Sequence, residues 1–297
     1  MDENIKCLLT YFGFDVDKTR AEQIKREEDD SFYDVWRVYY DNKVFIIKEC
    51  KEYEAEIYNT ILKSCKKYVP GYYGTISFEN KDFILLENLD GINLNNCSRK
   101  MLISFLDSLI SLQNEFWQNE RYNNLCFNLQ NSLLKRKGRG EFLFDETLEK
   151  YYSKYLDLYI SLPCTLCNDD MLPFNAIYNE ENNITYIIDW EESGILPYLN
   201  SFARFISHFE EEEGAFFYMK DEDKAFTIDY YYDNLIKAKG ITYQDYRMHL
   251  NLFMLYEFCE WIMLGNKYED ADRVRFEKYK KKAHELIDEI KLIDKIN

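Results

Sequence analysis

The sequence has few histidines, no long uncharged apolar run and no basic N-terminal flank. Its three histidines, His208, His249 and His284, stand at spacings that match neither a metal cage nor the base of a nucleophilic triad. No stretch reaches the roughly 18 uncharged apolar residues that a membrane span needs. The start, Met1-Asp2-Glu3-Asn4, lacks the positive charge of a signal peptide. We therefore expect a cytoplasmic protein that makes no membrane contact.

The sequence also has fewer basic than acidic residues. The chain has 37 Lys and Arg residues against 54 Asp and Glu residues, which gives a formal net charge of −17. An acidic surface repels the phosphate backbone over any long contact, so we expect no nucleic-acid partner. The same surface would attract a cationic small molecule, although acidic surfaces also serve solubility in general.

The eight cysteines are scattered through segments that look core-forming, which favours buried thiols in a reducing compartment over disulfides. Cys164 and Cys167 have the C-x-x-C spacing of metal or redox sites. No second pair follows them, and they lie in an apolar run. The pattern therefore favours two buried thiols over a zinc or redox site.

The composition changes along the chain near residues 90–96. Before that segment we predict strands at 24–28, 34–40, 44–50, 73–78 and 83–87, with a turn at Asp41-Asn42 and one helix at 52–64. After it, helical periodicity predominates, beginning at Ser98 as an N-cap and recurring at 148–162, 242–258 and 268–293. The pattern predicts an α+β protein with a small antiparallel-sheet lobe, residues 1–88, and a mainly helical lobe, residues 89–297.

One compact segment between the predicted helices, residues 162–190, presents polar side chains at loop ends. Asn175 follows Asp170 by five residues, and Asp189 ends a hydrophobic stretch fourteen residues after Asn175. Phosphoryl transfer needs a carboxylate that accepts the proton of the attacking hydroxyl, and oxygen ligands for Mg²⁺. The first spacing is that of the D-x-x-x-x-N catalytic loop of kinases. The segment therefore predicts a phosphoryl-transfer site.

The stretch Leu166-Cys167-Asn168-Asp169-Asp170, with the later Ile188-Asp189-Trp190-Glu191, resembles the H-G-D-x-x-x-x-N and I-D-W pattern of the aminoglycoside phosphotransferase and choline kinase family. The resemblance covers residues 20–265, and this segment carries its specific signal. It implies a bilobal, protein-kinase-like fold in which Asp170 is the catalytic base. It also implies that Asn175 and Asp189 bind Mg²⁺.

A lysine in the first half of the chain supports the same interpretation. Lys48 ends the apolar run 44–47, where an unpaired ammonium would be costly, so a carboxylate or phosphate partner is required. Kinases place such a lysine on their third strand, against the nucleotide phosphates and a glutamate of the next helix. We expect Glu54 to be that partner, because Ile57 follows it on the inward face; Glu56 is the alternative.

Two further segments are predicted to contact a nucleotide. Glu87 and Leu89 follow an apolar strand and resemble the hinge between kinase lobes, where main-chain groups bind the purine. Such contacts do not distinguish ATP from GTP. The phosphate loop is expected within residues 27–35, which contain no glycine. By the resemblance, Ser31 near its tip would contact the phosphates.

Three departures from the family pattern bear on activity. Asn168 and Asp169 replace the histidine and glycine of H-G-D, so we expect an additional carboxylate beside the base, with Asn168 retaining part of the hydrogen bonding. The phosphate loop lacks glycine. The aspartate that the family carries after the metal-binding strand is not evident in residues 197–204.

The predicted function is that of a kinase acting on a small molecule, which transfers the γ-phosphate of ATP or GTP to a hydroxyl with the help of Mg²⁺. The net charge and the carboxylates of Glu191, Glu192 and residues 210–213 favour a cationic, aminoglycoside-type acceptor, with Tyr256 and Trp261 nearby. For Trp261, packing in the core is favoured over a cation cage. Choline and sugars are alternative acceptors.

Two other classes of protein compete with this prediction. A nucleotide-binding pseudokinase would explain the altered loop and histidine, but the retained Lys48, Asp170, Asn175 and Asp189 argue against lost catalysis. A protein kinase is disfavoured, because no A-P-E-like segment and no long activation loop follow Asp189.

Overall fold

The computed structural model describes residues 3–26, 30–51, 53–65, 67–122, 124–125, 127–207, 219–268 and 273–295. The first part of the chain folds around a five-stranded sheet. Its elements are α1 (Glu3–Tyr11), β1 (Arg20–Lys25), β2 (Phe32–Tyr40), β3 (Lys43–Glu49), α2 (Glu54–Thr60), β4 (Tyr72–Phe78) and β5 (Lys81–Glu87). The strands are antiparallel in the order β1-β2-β3-β5-β4.

Two tight turns set the register of this sheet. The predicted turn at Asp41-Asn42 joins β2 to β3 with both residues at positive φ, and Glu79-Asn80 joins β4 to β5 in the same way. Two central residues at positive φ match the right-handed twist of flanking strands, and Asn and Asp tolerate that conformation. In the resulting register Val35 lies opposite Lys48.

Successive side chains of each strand lie on opposite faces of the five-stranded sheet, and each face packs against a different helix. Phe83 and Leu85 of β5 pack with α1 in one cluster, whereas Ile84 and Leu86 pack with α2 in the main core. Because successive side chains point to opposite faces, Ile47 lies on the α1 side and Lys48 on the α2 side. This parity brings Lys48 to the helix that carries its predicted partner.

The remainder of the chain is mainly helical and contains two small sheets. Its elements are β6 (Ile92–Asn93), α3 (Arg99–Glu115), α4 (Leu129–Gly140), α5 (Glu146–Tyr159), β7 (Cys164–Asn168), β8 (Ala176–Asn179), β9 (Ile184–Ile187), β10 (Ser193–Pro197), α6 (Asn200–Ser207), α7 (Asp221–Tyr231), α8 (Tyr243–Tyr268) and α9 (Arg273–Asp294). Strand β7 pairs with β10, and β8 lies between β6 and β9. The Oγ of Ser98 accepts a hydrogen bond from the Met101 amide at 3.3 Å, so the predicted N-cap of α3 is confirmed.

The structure corrects several predicted boundaries. The first strand begins at Arg20, earlier than expected, and the predicted helix at 52–64 is a shorter α2 followed by one 3₁₀ turn, Leu62–Ser64. Helix α1 and strand β10 were not predicted. Cys7, on α1, is exposed, contrary to the expectation of buried thiols, whereas Cys167 is buried in β7. Within the described ranges, no helix has the length and apolar character required to cross a membrane.

Candidate active site

Lys48 stands at the centre of a charged group between the five-stranded sheet and the helical part of the chain. Its Nζ lies 2.8 Å from the Glu54 carboxylate and also pairs with Asp189. Glu54 is wholly buried at the start of α2, so Lys48 has the carboxylate partner that its apolar strand required. The alternative partner, Glu56, lies on the same helix but does not make this contact.

The two members of this pair shift each other's titration. Burial alone would lower the pKa of Lys48, but the carboxylates of Glu54 and Asp189 outweigh burial and raise it. Burial raises the pKa of Glu54 to about 7, against the opposing effect of the Lys48 ammonium. The ammonium therefore stays charged in the cleft.

Asp170 lies in the loop that leaves β7, and two asparagines hold that loop. The Oδ1 of Asn168 accepts a hydrogen bond from the Asp170 amide at 2.9 Å, and its Nδ2 donates to the carbonyl oxygens of Ile188 and Asp189 at 3.2 and 2.9 Å. The Nδ2 of Asn175 donates to the Asp170 carbonyl at 2.8 Å. Asn168 thus ties the Asp170 loop to the chain around Asp189.

Asp189 follows β9 in a left-handed conformation, with φ of +58°. A non-glycine residue pays about 1–3 kcal/mol for such a backbone, which persists only where the surroundings impose it. The next residue, Trp190, is buried, and its Nε1 donates to the Ile187 carbonyl at 2.9 Å. This anchor directs Asp189 back toward Lys48.

A cavity of about 340 Å³ lies between the sheet and the helical part of the chain, beside Lys48 and Asp189. Lys48 and Glu54 line it from the sheet side, and Asn175, Asp189 and Glu191 line it from the helical side. Asp170 does not line this cavity but adjoins it through Asn175. A larger cavity of about 540 Å³ lies elsewhere, bordered by residues such as Gln118, Cys164 and Ile195, and none of the predicted site residues borders it. We therefore place the candidate site in the smaller cavity.

Several solved structures have a fold similar to that of this chain. The chain is similar to Plasmodium vivax ethanolamine kinase, with a TM-score of 0.61 at 15% identity over 90% of this chain and 82% of that one. It is also similar to an aminoglycoside phosphotransferase from Alicyclobacillus acidocaldarius, with a TM-score of 0.57 at 10% identity over 93% and 95%. A thermostable variant of aminoglycoside phosphotransferase APH(4)-Ia, solved with ADP and hygromycin B, gives 0.57 at 13% identity over 95% and 97%.

This chain has the kinase-like fold of these proteins. The predicted α+β, bilobal architecture is thereby confirmed. No family model matches the sequence, and no curated protein matches it. The kinase-like fold is therefore recognised through its three-dimensional arrangement.

In this kinase-like fold, Arg204 is the site residue that sequence reasoning missed. It lies on α6 and donates to Asp170 Oδ1 from Nε at 3.2 Å and from Nη2 at 2.8 Å. Its Nη1 donates to Glu257 and Glu260 of α8 at 2.9 and 2.8 Å. Arg204 falls within residues 197–204, where the family pattern carries an aspartate, and no motif in the sequence indicates a cation there.

This contact leaves one oxygen of Asp170 accessible. Oδ1 accepts both bonds from Arg204, and Oδ2 has no hydrogen-bond partner within the described part of the chain. Burial raises the pKa of Asp170, and the Arg204 guanidinium opposes that rise. The carboxylate therefore retains an acceptor oxygen for a hydroxyl proton.

The additional carboxylate that was expected beside the base, that of Asp169, points away from Asp170. Asp169 is buried, and its Oδ1 accepts hydrogen bonds from Arg136 at 2.5 Å and from Asn200 at 2.7 Å. The guanidinium of Arg136 lies 4.6 Å from the ring centroids of both Tyr159 and Tyr256. Asp169 thus belongs to a buried polar network and does not add charge beside Asp170.

The oxygen donors of the cavity fit a hard divalent cation. Carboxylate oxygens of Glu54, Asp189 and Glu191 lie within 4.8 Å of one another. Asn175, a fourth cavity residue, has an Oδ1 without a hydrogen-bond partner among the described residues. Carboxylate and amide oxygens are the ligands that Mg²⁺ takes in nucleotide sites.

The remaining predicted site residues differ in whether they border the cavity. Glu87 and Leu89 line the cavity, and the Glu87 carboxylate accepts from the Gly71 amide at 3.0 Å. Ser31 is exposed and does not border the cavity; its carbonyl accepts from the Arg26 amide at 2.8 Å. The acidic run at 210–213 lies outside the described residues.

The two aromatic residues expected near an acceptor are packed against other rings. Tyr256 is buried and stacked on Tyr155, with ring centroids 4.9 Å apart. Trp261 is stacked on Tyr279 at 5.6 Å. The preference for packing over a cation cage at Trp261 agrees with this contact.

Proposed function

We propose that this protein is a small-molecule kinase that transfers the γ-phosphate of ATP or GTP to a hydroxyl group. The observation that carries the proposal is the convergence of Lys48, Glu54 and Asp189 in one cavity, with Asp170 held beside it by Asn175. Residues 1–88 form the nucleotide-binding lobe of this proposal, and residues 89–297 form the catalytic and acceptor-binding lobe.

Each residue has a distinct part in the proposed reaction. Lys48 holds the nucleotide phosphates and is itself held by Glu54, and main-chain groups at Glu87 and Leu89 hold the purine. Asn175 and Asp189 would hold Mg²⁺, which would supply positive charge against the phosphates. Asp170 accepts the proton of the acceptor hydroxyl as its oxygen bonds to the γ-phosphorus and the bond to the nucleoside diphosphate breaks.

The acceptor is a small hydroxylated molecule, with amine-bearing aminoglycosides as the first class to test. Two of the similar structures are an ethanolamine kinase and a phosphotransferase solved with hygromycin B, which supports that order. Glu192 is paired with Lys135, however, and Glu257 and Glu260 are paired with Arg204. These paired carboxylates cannot by themselves select a cation, so choline, amino sugars and neutral sugars belong in the same test.

The experiment is a screen of Mg²⁺-dependent ATP and GTP consumption across those acceptors, with Asp170→Asn as the matched variant. This change removes the proton-accepting carboxylate with little change of shape. We expect turnover to fall by about a hundredfold or more while nucleotide affinity stays within about twofold. Equal turnover in the variant and the wild type would contradict the role of Asp170.

The same screen, together with the measured nucleotide affinity, distinguishes a kinase from a pseudokinase. Nucleotide binding without turnover of any acceptor would favour the pseudokinase, which the altered phosphate loop suggested. Turnover confined to neutral acceptors would exclude a cationic acceptor and leave the kinase standing. Absence of nucleotide binding would contradict the proposal as a whole.

A further inference from the structure

Strands β1 and β2 flank the edge of the cavity where a kinase covers its nucleotide phosphates. In kinases a glycine-rich loop makes that cover, because glycine lets the backbone approach the phosphates closely. Residues 26–35 contain no glycine. If a nucleotide binds here, another group must contribute to binding its phosphates.

Arg26 directly follows β1 and lines the cavity together with Tyr33 of β2. The Cζ of Arg26 lies 4.7 Å from the centroid of the Tyr33 ring, so the aromatic face supports the guanidinium. The Arg26 amide donates to the Ser31 carbonyl at 2.8 Å, which fixes the backbone where the loop begins. Arg26 is thus held on the cavity wall from both its side chain and its main chain.

The Nε of Arg26 is shielded from solvent and has no hydrogen-bond partner among the residues that the structure describes. A buried donor without a partner costs about 1–3 kcal/mol, and more when it is charged. The guanidinium as a whole also makes no ion pair within the described part of the chain, although it is half-buried against the cavity. A ligand with negative oxygens in the cavity would neutralise this charge by contact with the terminal nitrogens of the guanidinium.

Two other cations that line the cavity already have partners. Lys48 pairs with Glu54 and Asp189, and Arg37 donates from Nε to Asn88 Oδ1 at 3.3 Å. Lys51 is exposed to solvent. Arg26 differs from all three because it is half-buried and its shielded Nε lacks a partner.

We propose that Arg26, stacked on Tyr33, binds the phosphates of the nucleotide and takes over part of the role of a glycine-rich loop. The inference rests on the proposed function, because it assigns a further binding residue to the same site. An arginine presents several N–H donors in a planar fork that matches phosphate oxygens. A charged side chain thus replaces backbone amides as the phosphate-binding group.

The test compares the affinity of the nucleoside triphosphate with that of its nucleoside, by calorimetry in Mg²⁺. Loss of a charge-assisted contact in Arg26→Ala should weaken triphosphate binding by about ten- to a hundredfold. Nucleoside affinity should stay within about twofold of wild type, since the nucleoside has no phosphate. Inorganic tripolyphosphate should compete with the nucleotide in the wild type and compete less well in the variant.

Arg20→Ala is the matched control. Arg20 begins β1, the strand that Arg26 follows, and its Cζ lies 4.0 Å from the Tyr39 ring centroid, but it does not border the cavity. It should bind the triphosphate as the wild type does. Tyr33→Leu, which keeps the arginine and removes its support, should lose a smaller part of the triphosphate affinity and serves if Arg26→Ala does not fold.

The outcomes separate this inference from the proposed function. Wild-type protein that binds neither ATP nor GTP overturns both. Nucleotide binding that is unchanged in Arg26→Ala overturns the inference alone. Equal losses for triphosphate and nucleoside also overturn it, because they show a structural role for Arg26.

Discussion

At the scale of single residues, Asp169 and Arg136 form a buried ion pair in which each charge is neutralised by the other. The side chains of the two residues are 5% and 1% exposed. Asp169→Asn removes the negative charge and leaves the guanidinium buried without it. We expect a loss of about 3–5 kcal/mol in the free energy of unfolding, measured with urea at neutral pH.

The pH dependence of that loss follows from the titration of Asp169. The Arg136 guanidinium, working against burial, lowers the pKa of Asp169 in the folded protein. A lowered pKa contributes stability that is present above the unfolded value of about 3.9 and is lost as the pH falls through the folded value. The difference between wild type and Asp169→Asn should therefore be full at neutral pH and shrink below about pH 4. A difference that stays constant over this range would contradict the ion pair.

Arg204 is a positioning residue, because it holds Asp170 on one side and two glutamates of α8 on the other. Arg204→Lys keeps one charge but cannot span the three carboxylates with a planar fork. We expect kcat to fall by about tenfold or more through misplacement of Asp170, with the KM for nucleotide within about twofold. Steady-state kinetics measures both, and a purely structural role would leave kcat unchanged in folded protein.

At the scale of elements, two glycines should respond to the same substitution in opposite directions. Gly138 lies inside α4, and a Cβ added there meets nothing within 4 Å. Gly194 lies in β10, where an added Cβ would overlap the carbonyl oxygen of Phe127. We expect Gly138→Ala to raise the free energy of unfolding by about 0.5–1 kcal/mol, because glycine loses more backbone freedom on folding than alanine.

Gly194→Ala should lower the free energy of unfolding by about 1–3 kcal/mol, because the strand must move away from Phe127. Strand β10 pairs with β7, and Ser193 lies opposite Asn168, so this movement would also disturb the Asp170 loop. Urea unfolding of both variants measures the two effects. A stabilised Gly194→Ala would show that β10 is packed less tightly than the structure indicates.

At the scale of the whole molecule, Lys48 connects the sheet to the helical part through Asp189, and the cavity takes residues from both. A ligand that binds only the folded state adds about 2.7 kcal/mol at a hundred times its Kd. We expect wild type with Mg²⁺ and ATP or GTP at that excess to show this increase in urea unfolding. Lys48→Ala at the same nucleotide concentration should show little increase.

Much of the fold could be predicted because neighbouring residues specify it. The strand runs, the Asp41-Asn42 turn and the Ser98 cap depend on contacts within a few residues, so sequence patterns show them. Strand β10 could not be recognised, because Ser193–Pro197 is a short apolar segment whose pairing partner, β7, lies 25 residues or more away. The exposed face of α1, including Cys7, likewise depends on packing against the sheet.

The features of the candidate site likewise divide into those that neighbouring residues specify and those that depend on tertiary packing. The need of Lys48 for a carboxylate, and the loop spacing from Asp170 to Asn175, follow from burial cost and local chain geometry, so the sequence alone determined them. Arg204 is 34 residues from Asp170 and 53 from Glu257, and only the packing of α6 against both β7 and α8 brings the three together. Asp169 and Asp170 are adjacent in the turn that follows β7, but Asp169 pairs with Arg136 and Asp170 with Arg204. The sequence alone therefore determined which chemical groups are present and how they are spaced along the chain. Tertiary packing decided which charges neutralise one another.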